Sequence, residues 1–368
     1  MYDWHLRHAP VFLSADMNCY FVFGHHLVQR VLTASEFQAF HPFRRSRSAF
    51  GPSVLDSDGR PHARLRRALG TEFRPRTVPR YAESVVGDVV RGLLDELLTP
   101  GRPDFAAEFA WRLPTRVVAR ILGLPDDEDG VLHELMRPLV LFIDNATGSV
   151  GDTVQHREVF RAYLRRRIRD GVDPERMLAR LAAEPGLTEA EVVDNAMLLL
   201  AAATETTCSG TINVIARVAG EPGLWQALRA DPGLIPVVVL ETLRHEPPLH
   251  VTLRYAAADV VLGGVHIPER APIQVCIASA NRDPAVFPDP HTWSLRRSWQ
   301  KSIAFGFGPH HCLGSGLALL ELETAVHEMC RRLAALWVDQ PRDLRTSGRT
   351  FRHVRDLRLG FTFADVPT

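Results

Sequence analysis

The chain of 368 residues has almost no lysine: Lys301 stands alone, and arginine supplies the rest of the side-chain positive charge. It has no net charge either, since Lys+Arg and Asp+Glu are both 43, so no chain-wide basic field exists to hold nucleic acid or an anionic membrane. Cysteine is scarce: Cys19, Cys208, Cys276, Cys312 and Cys330 are odd in number, widely spaced and form no C-x-x-C pair, which leaves no basis for a disulfide framework or a structural zinc site. No apolar run approaches the roughly 20 residues of a membrane helix, and the N-terminus lacks the charged-then-apolar pattern of a secretory leader. A reducing cytoplasm is the expected location. Neither a repeat nor a linker-like stretch interrupts the chain, so residues 1–368 are expected to form a single domain. The arginine excess has two readings, GC-rich codon usage and sites that clamp carboxylates bidentately.

What is present is the 46% hydrophobic content of a packed globular protein. Apolar clusters at Val11-Phe12-Leu13 and Tyr20-Phe21-Val22-Phe23 predict a hairpin, and a short helix is expected from His25 to Ala34. Glu36 to Arg60 shows little periodicity and reads as a functional loop. Helical spacing then dominates, at Val85 to Leu98, Asp104 to Leu122, Gly130 to Ala146, Asp152 to Asp170 and Pro174 to Ala183. Thr188 and Glu191 have the spacing of a capping box, opening an apolar helix that runs to about Gly220. At 1.5 Å per residue about 30 residues make a rod of roughly 45 Å, and a helix apolar on nearly all sides must be buried. Within it Thr204-Glu205-Thr206-Thr207 places a carboxylate and three hydroxyls, costly there without partners and therefore a site candidate. Another helix is expected over Ile235 to Glu246, strands over Val251 to Ala256, Val260 to Leu262 and Ile273 to Ala278, and a last helix from about Leu313 to Leu336 before β-like residues near Leu357 to Phe363. The fold class is mostly α with small β sheets, built on a long central helix.

The most specific segment is Phe305-Gly306-Phe307-Gly308-Pro309-His310-His311-Cys312-Leu313-Gly314. Two glycines permit a tight turn ahead of the cysteine, and a helix start beyond it favours thiolate over thiol. Such a thiolate serves either as a nucleophile, with His310 or His311 as base, or as an axial metal ligand facing a large apolar slot.

The segment resembles the haem-binding signature F-G-x-G-x-[HR]-x-C-x-G of the cytochrome P450 superfamily, in its soluble bacterial type. Four further stretches match in order: Glu241-Thr242-Leu243-Arg244 is similar to its E-x-x-R, Asn281-Arg282-Asp283-Pro284 to its N-R-D-P, Ala202 to Thr207 to its A-G-x-[DE]-T-T, and His62 to Arg66 to its H-x-x-x-R. The resemblance implies a long central helix crossing a haem, and Cys312 as the thiolate ligand of the iron of haem b. It implies that His62, Arg66, Arg254 and His310 bind the propionates, that Phe305 packs beside the thiolate, that Gly314 lets a helix approach the porphyrin, and that Ala203 lies against the cofactor where the family has glycine. Glu205 and Thr206 match the acid–alcohol pair that delivers protons in dioxygen activation. Glu241 and Arg244 match a buried structural pair. Two departures stand out beside these matches, Ala203 for glycine and Ser302 for a histidine.

The implied activity is a haem-thiolate monooxygenase, placing one oxygen atom of O2 in a small organic substrate by hydroxylation or epoxidation, in specialised metabolism. The alternatives that keep the haem are oxidative coupling or cyclisation and peroxide-driven oxidation; those that abandon its enzymatic role are a gas sensor and a cysteine-nucleophile enzyme. Electrons are expected from NAD(P)H through a ferredoxin and its reductase, with Arg60, Arg64, Arg67, Arg74 and Arg76 offered as a basic docking patch. The substrate is free or tethered to a carrier protein, and its pocket is expected to include Phe142, Asn145, Leu199, His250 and Thr252.

Overall fold

The computed structural model describes residues 2–98, 105–145, 148–297, 300–339, 345–355 and 357–364. The side chains of Ala106, Ala107 and Asn145 are not among those described, and Asp104 and Ala146, expected to bound two helices, lie outside the described residues. The helices are α1 (Tyr2–His8), α2 (His25–Thr33), α3 (Arg45–Phe50), α4 (Gly59–Leu69), α5 (Asp88–Leu97), α6 (Arg112–Leu122), α7 (Asp129–Asn145), α8 (Val150–Asp170), α9 (Met177–Ala182), α10 (Glu189–Gly220), α11 (Leu224–Ala230), α12 (Ile235–His245), α13 (Ile277–Ala280) and α14 (Ser315–Arg332). The strands are short: β1 (Val11–Ser14), β2 (Cys19–Val22), β3 (Phe37–Gln38), β4 (Val251–Ala256), β5 (Val260–Leu262), β6 (Val265–Ile267), β7 (Pro272–Cys276), β8 (Leu333–Val338), β9 (Thr346–Ser347), β10 (His353–Val354) and β11 (Leu359–Phe363). The architecture is mostly helical with small sheets, as the sequence predicts. Among the described residues no helix is long and apolar enough to cross a membrane.

The central helix α10 begins where the capping box places it. Thr188 Oγ1 accepts the Glu191 amide at 3.2 Å, and the Thr188 amide donates to Glu191 Oε2 at 2.9 Å, which satisfies two donors that a helix start leaves orphaned. The helix runs without a break through Ala203. It is packed by α6, α7, α8, α12 and α14. One of its buried hydroxyls finds a partner within this bundle, Thr204 Oγ1 lying 3.2 Å from Thr115 Oγ1 of α6.

A smaller apolar cluster lies under the five-stranded sheet, ordered β1-β2-β7-β4-β3. The predicted hairpin forms its edge, with Val11 opposite Val22 and Ser14 opposite Cys19. β4 runs antiparallel to β7, and this pairing fixes Arg254 opposite Ile273.

Two expectations are corrected. Residues 36–60 are not one loop: they contain β3, α3, a 3-10 turn over Val54–Asp56 and the start of α4. These pieces are too short for periodicity to show, and side chains hold them, the Ser53 amide donating to Asp56 Oδ1 at 2.9 Å and the buried Arg44 guanidinium donating to the Ala39 carbonyl at 2.7 Å. The last helix ends at Arg332 rather than near Leu336. Leu333-Ala-Ala-Leu-Trp-Val looks helical as an apolar run, but β11 supplies cross-strand partners for its backbone, with Leu336 opposite Phe361 and Val338 opposite Leu359.

Candidate functional site

The loop carrying Cys312 is a closed turn. The Cys312 amide donates to the Phe305 carbonyl at 2.8 Å and the Gly306 amide to the Ile303 carbonyl at 2.8 Å. Gly306 and Gly308 have φ of 72° and 73°, in the left-handed region. At Gly308 a Cβ would meet the Leu32 carbonyl oxygen at 2.8 Å, so glycine is required by space as well as by torsion. Cys312 stands three residues ahead of α14, whose N-cap is Gly314. Its side chain is open by surface area, yet burial pushes its thiol up, against the opposing pull of the Gly314 amide and the Arg66 charge. A side chain lining a hollow that opens to the surface has both properties. A cavity of about 500 Å³ adjoins it, lined by Arg66, Phe73, Val78, Cys312 and Leu313 among others. A Cβ on Gly314 would meet nothing within 4 Å, so a flat group can approach there.

The loop is held from behind by the buried pair of α12. Arg244 donates to Glu241 through two parallel bonds of 2.7 and 2.8 Å and to the carbonyls of Asn281 at 2.8 Å and Pro290 at 3.1 Å. Glu241 Oε1 also accepts the Ser294 amide at 3.0 Å and Arg297 Nε at 3.2 Å. Every strong donor and acceptor of the pair is used, the condition under which burying two charges is tolerated. Asn281 carries the connection on, its Oδ1 accepting the Ile303 amide at 2.8 Å, two residues before Phe305. Ser302, where a histidine was expected, is tied to this node: its Oγ lies 3.5 Å from Asn281 Oδ1 and accepts the Ala304 amide at 3.4 Å.

Opposite charges are unevenly matched on the neighbouring wall. Arg254 of β4 is buried, and among the described residues its guanidinium makes one hydrogen bond, to the Leu253 carbonyl at 2.9 Å. Burial, with Arg44 adding to it, brings it down to about 10 against the pull of Asp58. His62 of α4 is buried with Nε2 lacking a hydrogen-bond partner among the described residues, and burial together with His310, Arg66 and Arg254 brings it down to about 4. Its ring lies 4.1 Å from that of His310. Arg66, one turn beyond His62, donates to the His311 carbonyl at 2.6 Å. Arg254, His62, Arg66 and His310 thus meet beside the cysteine loop, with a buried cation and an orphaned ring nitrogen. An anionic group would satisfy both.

Sequence reasoning missed Asp58 at this wall. Its carboxylate accepts the Phe40 amide at 2.8 Å and the Ala39 amide at 3.1 Å, and lies 3.3 Å from His310 Nε2. Burial opposes its ionisation, but these partners win and bring it down to about 2. Its position just before α4 was the only signal, and that marks a helix start rather than a contact to His310.

On α10, Leu199, Ala203 and Thr206 recur at i, i+4, i+7 and are all partly open, as is Ala202 beside them. Thr206 Oγ1 donates to the Ala202 carbonyl at 2.8 Å. Burial pushes Glu205 up to about 7, with the Asp144 charge adding to it. Of the expected substrate-wall residues, Thr252 is half-exposed on β4, whereas Phe142 is packed in the core beneath the Arg45 guanidinium, 4.8 Å from its ring centre. His250 is buried too, its Nδ1 3.1 Å from the Tyr2 hydroxyl and its Nε2 without a partner among the described residues. The Asn145 side chain is not among those described.

Comparison with known proteins matches residues 233–347 to the family described as Cytochrome P450. The chain is 33% identical over 303 residues to Cytochrome P450 monooxygenase PikC of Streptomyces venezuelae, covering 81% of this chain and 73% of that one. It is 35% identical over 295 residues to the 20-oxo-5-O-mycaminosyltylactone 23-monooxygenase of Streptomyces fradiae, covering 77% and 68%. Among solved structures it is similar to P450BioI in complex with a hexadec-9Z-enoic acid ligated acyl carrier protein, with a TM-score of 0.89, 26% identity, and coverage of 98% and 97%.

Proposed function

Because the chain belongs to the cytochrome P450 family and is a P450 monooxygenase, we propose that Cys312 is the axial ligand of its haem iron and that the residues meeting beside Cys312 form the haem site. The observation that carries this reading is Arg254: a buried cation with no carboxylate bonded to it among the described residues, near His62, whose Nε2 is likewise orphaned among them. Residues 1–368 act as one domain around this site.

The residues fit the cofactor. Arg254 and His62 would take one propionate, and Arg66 and His310 would complete the set, His310 exchanging or sharing its Asp58 contact. Phe305 limits water at the sulfur, and Gly314 and Ala203 let flat faces approach from the two sides. Haem, when bound, would supply the oxygen chemistry: one atom of O2 enters the substrate as hydroxylation or epoxidation and the other leaves as water, taking two electrons and two protons. The chain's own contribution is proton handling. Glu205, lying near neutrality, can hold and release a proton at working pH, and the Thr206 hydroxyl one residue on can pass it if it leaves the Ala202 carbonyl.

Electrons come from NAD(P)H through a ferredoxin and its reductase, in the cytoplasm. Arg67, Arg74 and Arg76 are exposed near the cysteine loop and suit an acidic donor protein. Arg64 is not free for this, being paired with Glu191 and donating to the Gly186 carbonyl at 2.6 Å. The relatives named above support a natural product as substrate. The acyl carrier protein seated on P450BioI supports a carrier-tethered one.

The test is spectroscopic. Purified, reduced protein with carbon monoxide is expected to give the red-shifted Soret band of thiolate ligation, and Cys312→Ala is expected to lose it. A wild-type protein that purifies without haem, or lacks that band when loaded, overturns the assignment.

A further inference from the structure

Glu205 and Ser209 lie one turn apart on the same face of α10. The C-terminal segment covers that face. Ser209 Oγ and His353 Nδ1 are 3.1 Å apart, and Asn213, a further turn along, donates to the Arg352 carbonyl at 3.1 Å and accepts the Val354 amide at 3.2 Å. The same segment grips the end of α7, where Asp144 Oδ1 accepts the amides of Thr350 at 2.8 Å and Phe351 at 3.2 Å. It is tied to a third element as well, the His250 amide donating to the Thr350 carbonyl at 2.9 Å and the Arg352 amide to the Pro248 carbonyl at 2.8 Å. Five residues, 350–354, therefore fix a carboxylate of α7 against the part of α10 that carries Glu205.

We propose that Asp144 is a positioning residue for Glu205: held against α10 by residues 350–354, its negative charge makes Glu205 harder to ionise. The inference rests on the proton-carrying role given to Glu205 above. Glu205 makes no hydrogen bond among the described residues that would stabilise its charged form. The other groups acting in this region do not offset Asp144. Cys208, one turn along α10, is a thiol that burial pushes up, with Glu205 adding to it. Burial, with Arg355 adding to it, pushes His353 down, so it tends to the neutral form against the pull of Asp144. The Arg352 guanidinium is turned to Thr346 Oγ1 at 2.7 Å. Burial and the Asp144 charge act on Glu205 in the same direction.

The experiment is an infrared pH titration of the protonated carboxyl band in the haem-loaded protein, run on wild type, Asp144→Asn, Asp144→Glu and Glu205→Gln, beside the pH profile of product formed per NAD(P)H. Asparagine keeps a carbonyl oxygen for both amides and removes only the charge. With less negative potential Glu205 loses its proton at lower pH, so the Asn variant is expected to move the band's midpoint and the alkaline limb of the profile down by about half a pH unit or more. Asp144→Glu, which restores the charge, is expected to return both toward wild type. An unshifted midpoint in Asp144→Asn overturns the inference, and so does a shift shared equally by Asn and Glu. Because burial also keeps a proton on Glu321, the Glu205 signal is the component of the band that Glu205→Gln removes; a Gln variant that removes no titrating component takes Glu205 out as the proton carrier, so a failure of that reading is seen separately.

Discussion

The hydroxyl of Thr206 donates to the carbonyl oxygen of Ala202 at 2.8 Å, so the backbone of α10 holds its proton. Such an i−4 bond in mid-helix contributes about 1 kcal/mol, small enough for the side chain to change rotamer when a better acceptor is offered in the pocket. The unbroken helix at Ala203 has the same consequence, since the Ala202 carbonyl remains within reach of Thr206.

Thr206→Ala should therefore change folding stability by no more than about 1 kcal/mol, and leave the carbon monoxide difference band intact. Product per NAD(P)H consumed should fall several-fold while cofactor oxidation continues. Tight coupling in this variant, measured by product analysis against NAD(P)H loss, would count against a proton-passing role for Thr206.

The Glu241 and Arg244 pair should behave oppositely. Glu241→Gln leaves the buried Arg244 without its carboxylate and turns an NH2 group onto one of the two positions that its guanidinium donates to, a loss of about 3–5 kcal/mol of stability. Urea unfolding should show a lowered midpoint, and little haem-loaded protein should be recovered, because the Asn281 connection to the cysteine loop loosens with it. A variant of wild-type stability would mean that the pair is not holding this loop.

Electron delivery gives a third prediction. Reversing Arg67, Arg74 and Arg76 to Glu should slow reduction by an acidic ferredoxin at low ionic strength, with the difference shrinking as salt is raised. Arg64→Glu should act differently, disturbing the start of α10 through Glu191 and Gly186 and showing as lost stability. Stopped-flow reduction rates that ignore the triple reversal at low salt would exclude this face as the docking site.

Much of this was legible in the residues because it rests on local rules. The capping box at Thr188, the hairpin at Val11 to Val22 and the glycine-bearing turn before Cys312 need only a few neighbouring residues to specify them, and the E-x-x-R spacing puts Glu241 and Arg244 on one face of a helix. Partners remote in sequence were not legible. Leu333 to Val338 becomes a strand because β11 arrives beside it, and Phe142 has the look of a pocket residue until α3 brings Arg45 over its ring. Asp58 and Asp144 carry no motif at all; each matters through amides and side chains that the fold delivers from elsewhere in the chain.

Arg254 allows a prediction in which two states respond with opposite sign. In the protein without cofactor it is a buried cation with one carbonyl as partner among the described residues, and its descent to about 10 corresponds to about 3 kcal/mol of penalty on the charged form. Arg254→Leu removes that penalty, so the apoprotein should melt at the same temperature or higher, less whatever the Leu253 carbonyl loses as an acceptor. The loaded protein should respond the other way, because a charge-assisted bond to a buried carboxylate contributes about 1.5–3 kcal/mol. Transfer of haem to an acceptor globin should then be about 10- to 100-fold faster than from wild type. Equal destabilisation of both forms would show that Arg254 serves the fold of β4 rather than the cofactor, and would withdraw the observation on which the haem site was chosen.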